Sequence, residues 1–148
     1  MTNDNSKATD EAQIRAFIEE RIKAVNDREI ERLMSQHAPD VLMFDVLDPL
    51  RYIGAEKVRE RAAQWFSRYR GSIGYEVRDL NIETGETAAF CHYLYHVSGT
   101  MTNGREVGMW VRSTVCFRKV DDEWIVAHEH TSVPFDAESG KASVDLKP

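Results

Sequence analysis

Trp110–Phe135 reads WVRSTVCFRKVDDEWIVAHEHTSVPF. It divides into two strands around the charged turn Val120-Asp121-Asp122-Glu123. Side chains alternate across a strand, so Trp124, Val126, His128, His130 and Ser132 fall on one face and Glu129 on the other. Two histidines on a strand that starts hydrophobic are either a hydrogen-bonded polar layer of a core or the floor of a pocket. If that face lines a pocket, Glu129 points to the outer surface. A one-residue bulge would reverse every assignment, placing Glu129 inside.

Working backwards from this hairpin, the same period continues. Val107 to Lys119, Thr87 to Val97 and Tyr75 to Ile82 read as strands. Thr84-Gly85-Glu86 and Gly99–Gly104 supply the hairpin connections. Upstream the period is helical. Ile14, Phe17, Ile18, Ile22 and Val25 form one stripe, with Glu19, Glu20, Arg21 and Lys23 mostly on the other side. A shorter helix carries Ile30, Leu33 and Met34 and ends at Ala38-Pro39-Asp40. Val41–Phe44 is a short apolar strand closing on Asp45, and Arg51–Ile53 a brief return strand. Gly54 opens a third helix with Val58, Ala62, Trp65, Phe66 and Tyr69 inside, ending near Gly71 and Gly74.

Helices grouped ahead of sequential hairpin-linked strands predict an α+β fold with an antiparallel sheet rather than βαβ units. Strands this long curl, and about three helices packed on the concave face leave a cone with an open end. That end is the natural place for a pocket. Residues 1–9 read as a flexible N-terminus, 10–135 as one domain, and 136–148 as a tail without periodicity.

The 148 residues carry 30% charged and 42% hydrophobic side chains and a net charge of -6, which suits a globular chain. An acidic chain without a basic stripe disfavours nucleic acid. No apolar run reaches membrane-spanning length, and the polar start lacks a signal peptide's apolar core, so a cytoplasmic location is expected with no membrane partner. Cys91 and Cys116 lack metal-ligand spacing and read as small buried hydrophobes.

Several segments together resemble the nuclear-transport-factor-2-like superfamily, and within it the SnoaL-like and ketosteroid-isomerase-like proteins. They are Ala24-Val25-Asn26-Asp27, Ala38-Pro39-Asp40-Val41, Gly54–Val58 and, most specific, Trp124-x-Val126-x-His128-Glu129-His130-x-Ser132-x-Pro134. The last is similar to the ending shared by SnoaL-like proteins and by the association domain of calmodulin-dependent kinase II. The resemblance covers about Glu11 to Phe135. It implies a cystatin-like cone with an internal cavity, commonly homodimeric through the outer sheet face. The face carrying Tyr93 and Tyr95 is the expected interface. One fold hosts many functions, so reaction must come from the site.

Asp45 stands where ketosteroid isomerases carry their general base, and a carboxylate at a pocket wall suits proton abstraction. The alternative is a solvated turn acid. That enzyme also needs a tyrosine on its first helix and an acid on a late strand. The first helix here has no tyrosine, and Val107–Lys119 has no acid in its interior, so steroid isomerisation itself is disfavoured. His128 and His130 are candidate acid/base groups. With His92 and His96 on a neighbouring strand they would also offer imidazoles to a metal, but a closed site needs further ligands, and no metal is expected. Trp110 and Arg112 share a face; a strand-interior arginine either holds a substrate anion or pairs with Glu129 or Glu106. Trp65, His92, Trp110, Arg112 and Ser132 form the expected substrate-contacting set. No glycine-rich phosphate loop, Rossmann fingerprint or nucleophile elbow is present, so no cofactor is expected.

The resulting expectation is a pocket for a small hydrophobic or ring-containing molecule. It serves either a cofactor-independent isomerase, cyclase or dehydratase (a lyase in the last case) or a non-catalytic binding or assembly domain.

Overall fold

A computed structural model describes residues 4–148. Helix α1 spans Asp4–Asn26, α2 Ile30–Met34 and α3 Ala55–Ser67. The strands are β1 (His37–Phe44), β2 (Tyr52–Ile53), β3 (Tyr69–Thr84), β4 (Ala88–Met101), β5 (Glu106–Val120) and β6 (Glu123–Ser132). They form one sheet in the order β2-β1-β6-β5-β4-β3. All neighbours are antiparallel except β1 and β6, which run parallel, so the α+β sheet is mixed at that one junction. The expected N-terminal loose segment begins outside the described residues; from Asp4 onward the chain is already helical. Pro39 lies inside β1 rather than ending α2, and Gly71 and Gly74 lie inside β3.

The alternation in β4 and β5 sorts the two faces. Ala89, Cys91, Tyr93, Tyr95 and Val97, with Val111, Ser113, Val115 and Phe117, are buried on the concave face. Phe90, His92 and Arg112 are exposed on the convex one. Tyr93 and Tyr95 therefore belong to the core and do not form the outer surface expected of them. Cys91 is fully buried, while Cys116, on the outer face, is only half-buried. The α1 stripe of Ile14, Phe17, Ile18 and Val25 packs across this concavity, with Phe17 edge-on to Phe117.

The sheet closes around α1 because its long strands are interrupted. Pairing shifts in β3 after Arg70 and after Arg78, where Gly71 and Asp79 take positive φ. Bulges of this kind bend a strand and raise its local twist. A further shift in β6 has the larger consequence. Phe117 pairs with Val126 and Cys116 with His128, leaving Ala127 as an extra residue. Before the bulge, Trp124 and Val126 face inward; after it, Glu129 and Thr131 do. The parallel partner agrees, since Met43 sits opposite Glu129, while Leu42 and Phe44 sit opposite His128 and His130.

Asp10 is a buried acceptor in the first half of α1. Its Oδ1 accepts from Trp124 Nε1 and from Lys119 Nζ, each at 3.1 Å. These bonds tie α1 to the β5–β6 hairpin. Replacing Asp10→Ala leaves the indole N–H buried without an acceptor, and is expected to remove about 2 kcal/mol of stability. The exposed Glu19→Ala on the same helix should change it by less than about 0.5 kcal/mol. Urea denaturation of both variants checks this, and equal midpoints would refute the tie.

Candidate functional site

The open end of the cone encloses a cavity of about 410 Å³. This lies within the usual size range of small-molecule sites. The α3 face carrying Val58, Ala62 and Trp65 forms one wall, and Val97, Met109 and Val111 from the sheet form the other. Past β6 the chain turns back at Phe135, which bridges Ala142, and Ala142 and Val144 reach the cavity lining. The tail thus covers part of the opening.

Asp45 enters the cavity because β1 alternates. Met43 faces inward and Asp45 follows two residues later. Three groups hold its carboxylate. Val46 N–H donates to Oδ1 at 2.7 Å, Thr131 Oγ1 donates to Oδ1 at 3.0 Å, and Arg61 Nε lies 2.6 Å from Oδ2. The Arg61 N–H is not aligned on that oxygen, so this last contact is an attraction of charges more than a shaped hydrogen bond. Both side chains are largely buried.

A second polar cluster lies deeper. Arg21 Nη1 contacts Glu129 Oε1 and donates to Tyr93 Oη at 3.2 Å, and Tyr93 Oη is 2.8 Å from Tyr75 Oη. Arg21 and Glu129 are each under a tenth exposed. Burial opposes the Arg21 charge, but Glu129 and the two phenols outweigh it and hold the guanidinium above its ordinary value. Burial also pushes Tyr75 and Tyr95 well above the usual phenol range and raises Tyr93, with Arg21 pulling each back only in part. These hydroxyls stay protonated at neutral pH and can donate. His37, also on the lining, is lowered to about 3 by burial and by the nearby Arg21 charge. Its ring is neutral, and its Nδ1 has no partner.

Of the residues expected from sequence, Asp45 and Trp65 line this cavity. His92, Trp110, Arg112, His128, His130 and Ser132 lie on the convex face. Strand parity alone pointed the β6 histidines inward; the extra residue Ala127 turns them out. Outside, His128 Nδ1–H donates to the Leu42 carbonyl at 2.7 Å. Phe44 packs edge-on against His128 and His130, His96 packs against Trp110, and Arg112 Nε donates to Ser132 Oγ at 3.1 Å. Among the described residues, no group of three or more His, Cys, Asp or Glu side chains could hold a metal ion.

Arg21, Arg61, Tyr75 and His37 were missed. For the two arginines a signal existed. Arg21 is four residues from both Phe17 and Val25, and Arg61 is three from Val58 and four from Trp65. Each therefore sits on its helix's buried stripe. Charge alone had assigned Arg21 to the solvent side.

Two expectations follow from this geometry. Arg21→Met strands the buried Glu129 charge and should cost about 3–5 kcal/mol. Adding Glu129→Met should recover part of that loss, whereas additive losses in urea denaturation would dissolve the pair. His37 binds its proton more weakly folded than unfolded. Between its ordinary 6.5 and about 3 the unfolded chain therefore holds more protons. Stability contributed by neutral His37 is present above pH 6.5 and falls as pH drops through that window. In His37→Gln the acid limb of the stability–pH curve should flatten there; an unchanged slope would clear His37 of the effect.

Comparison with known proteins places the chain. Residues 14–136 match the model of the SnoaL-like domain. An NTF2-like protein of unknown function from Pseudomonas putida is 30% identical, with 95% of this chain and 98% of that one covered at a TM-score of 0.87. A candidate dehydratase of the NTF2-like family from Streptomyces avermitilis is 18% identical, covering 85% and 97% of the two chains at 0.74. A ketosteroid isomerase-like protein from Erwinia carotovora is 20% identical, covering 82% and 93% at 0.70. The last two likenesses speak for fold alone. No curated protein matches. With its helices on the concave side of a curved sheet and the family match covering the whole cone, this chain belongs to the SnoaL-like family of NTF2-like proteins.

Proposed function

We propose that the cavity binds a hydrophobic, ring-containing carbonyl compound and catalyses a cofactor-independent proton transfer, leading to isomerisation, cyclisation or dehydration. The observation that carries this reading is the pairing of polar groups in an otherwise apolar cavity. A positioned carboxylate, Asp45, shares it with a phenol, Tyr75, at the end of a charged relay. Arg21 donates to Tyr93, whose hydroxyl shares a hydrogen bond with Tyr75; with Tyr93 as the donor of that bond, the Tyr75 O–H is left for a ligand. Asp45 removes a proton beside the carbonyl. The carbonyl oxygen, gaining charge, accepts from Tyr75, whose proton the relay holds in place. Fixed donors in the cavity favour the carbonyl oxygen as it gains charge over its neutral ground state. The dehydratase and isomerase-like names of two structural relatives agree with this chemistry.

One observation favours a second reading, a binding domain without turnover. Thr131 and the Val46 amide both donate to Asp45 Oδ1, and the Arg61 charge lies against Oδ2, so neither carboxylate oxygen is free of a partner. A base engaged this way must exchange a partner for the substrate proton.

Exchange into D2O separates the two without knowledge of the product. Hydrophobic ketones and enones are incubated with the protein and loss of the α-proton is followed by NMR. Wild type should accelerate the loss, Asp45→Asn should reduce it by about 10²–10⁴-fold, and Tyr75→Phe by a smaller factor. Exchange undiminished in Asp45→Asn would remove the proposed base. Ligand binding without exchange on any carbonyl would leave the binding domain.

A further inference from the structure

The residues lining the cavity include four arginines, Arg21, Arg61, Arg68 and Arg105, against two acids, Asp45 and Glu129. Arg21 is matched by Glu129 and Arg61 by Asp45. Arg68 and Arg105 are left over. Among the described residues neither has a carboxylate within ion-pair distance. The excess is local, since the whole chain carries a net charge of -6.

Exposed arginines without acidic partners are common, and a solvated side chain needs no further account. These two are set apart by their shared position. Thr102 N–H donates to the Arg68 carbonyl and Met101 N–H to the Arg105 carbonyl, each at 2.8 Å. The end of α3 and the β4–β5 turn are thereby fixed on either side of Met101, itself a lining residue. Arg61 and Trp65 lie on the cavity face of α3, and Arg68, the residue that caps its C-terminus, follows at i+7. The Tyr69 phenol, raised by burial, is pulled back by the charges of Arg61 and Arg68, so the Arg68 charge is felt inside the lining. Both arginines are exposed while the interior is apolar.

We propose that the ligand is an amphipathic anion, with an apolar body inside the cavity and a carboxylate at the rim on Arg68 and Arg105. This rests on the small-molecule-pocket reading above and adds the ligand's charge and orientation. A guanidinium offers a carboxylate two parallel N–H donors, so two arginines at one rim select for an anion and fix which end of the molecule enters. The rim anion then holds the opposite, carbonyl-bearing part of the body toward Asp45 and Tyr75.

Fluorescence titration with two probes of one shape tests this. Anilinonaphthalenesulfonate carries an anion in place of the carboxylate; phenylnaphthylamine has the same rings and no charge. Wild type should bind the sulfonate about tenfold more tightly. The two probes should compete, and added salt should weaken only the sulfonate. The Arg68→Gln/Arg105→Gln double variant should lose about tenfold for the sulfonate and keep its affinity for the neutral probe. That retained binding also shows the variant is folded. Arg112→Gln, on the convex face, should alter neither. If the double variant binds the sulfonate as wild type does, or Arg112→Gln takes over the loss, the rim assignment is overturned while the pocket stands. If wild type binds neither probe, the pocket reading falls and the anion assignment with it.

Discussion

The buried contact between Arg21 and Glu129 is the constraint around which the interior is arranged. A carboxylate drawn into an apolar interior is unfavourable by several kcal/mol unless an opposite charge and hydrogen bonds meet it. Glu129 is brought inside by the path of β6, and α1 spans the concavity opposite it. The chain meets the demand with an arginine on the buried stripe of α1, and Tyr93 and Tyr75 extend the polar contact across the sheet. The pair fixes how α1 lies in the cone, and burial keeps the two phenols beside it protonated. Stability and the polar end of the site thus depend on the same four residues.

A single extra residue, Ala127, decides which polar groups of β6 reach the cavity. Without it, imidazoles would face the cavity and Glu129 would face solvent. With it, four of the five histidines lie on the convex face, beside Trp110, Phe90 and Phe44, and only His37 touches the cavity. The consequence for chemistry is large. In place of the β6 imidazoles the cavity is lined by carboxylates, arginines and phenols. In the function we propose, proton transfer falls to Asp45 and electrostatic stabilisation to the relay that starts at Arg21.

Much of the architecture was legible because it rests on periodicity. The α1 stripe of Ile14, Phe17, Ile18 and Val25, the inner side of α3, and the alternation from Tyr75 to Val133 each follow from repeat lengths that need no neighbours to interpret. Turn residues marked the hairpins, and the β6 pattern from Trp124 to Pro134 carried the family. The early start of β1 was not legible. Pro39 reads as a helix stop, and only pairing with β6 draws His37–Asp40 into the sheet. The tail gave no periodic signal either, because it is ordered by turn hydrogen bonds over 134–143, the bridge between Phe135 and Ala142, and cover over the cavity.

Asp45 and Trp65 could be placed at the pocket from sequence, since each lies within a few residues of a clear landmark, the end of β1 and the inner stripe of α3. The remaining site residues could not. Arg21 with Glu129 are separated by 108 positions and Asp45 with Thr131 by 86, and neither pairing has a local signature. The sequence by itself determined the class of fold, the order of elements and the family, because hydrophobic period and turn chemistry act over a few residues. Only the tertiary structure decided which face of β6 looks inward and which charges meet, because a one-residue bulge reverses side-chain direction and its position is set by pairing with β5 and β1.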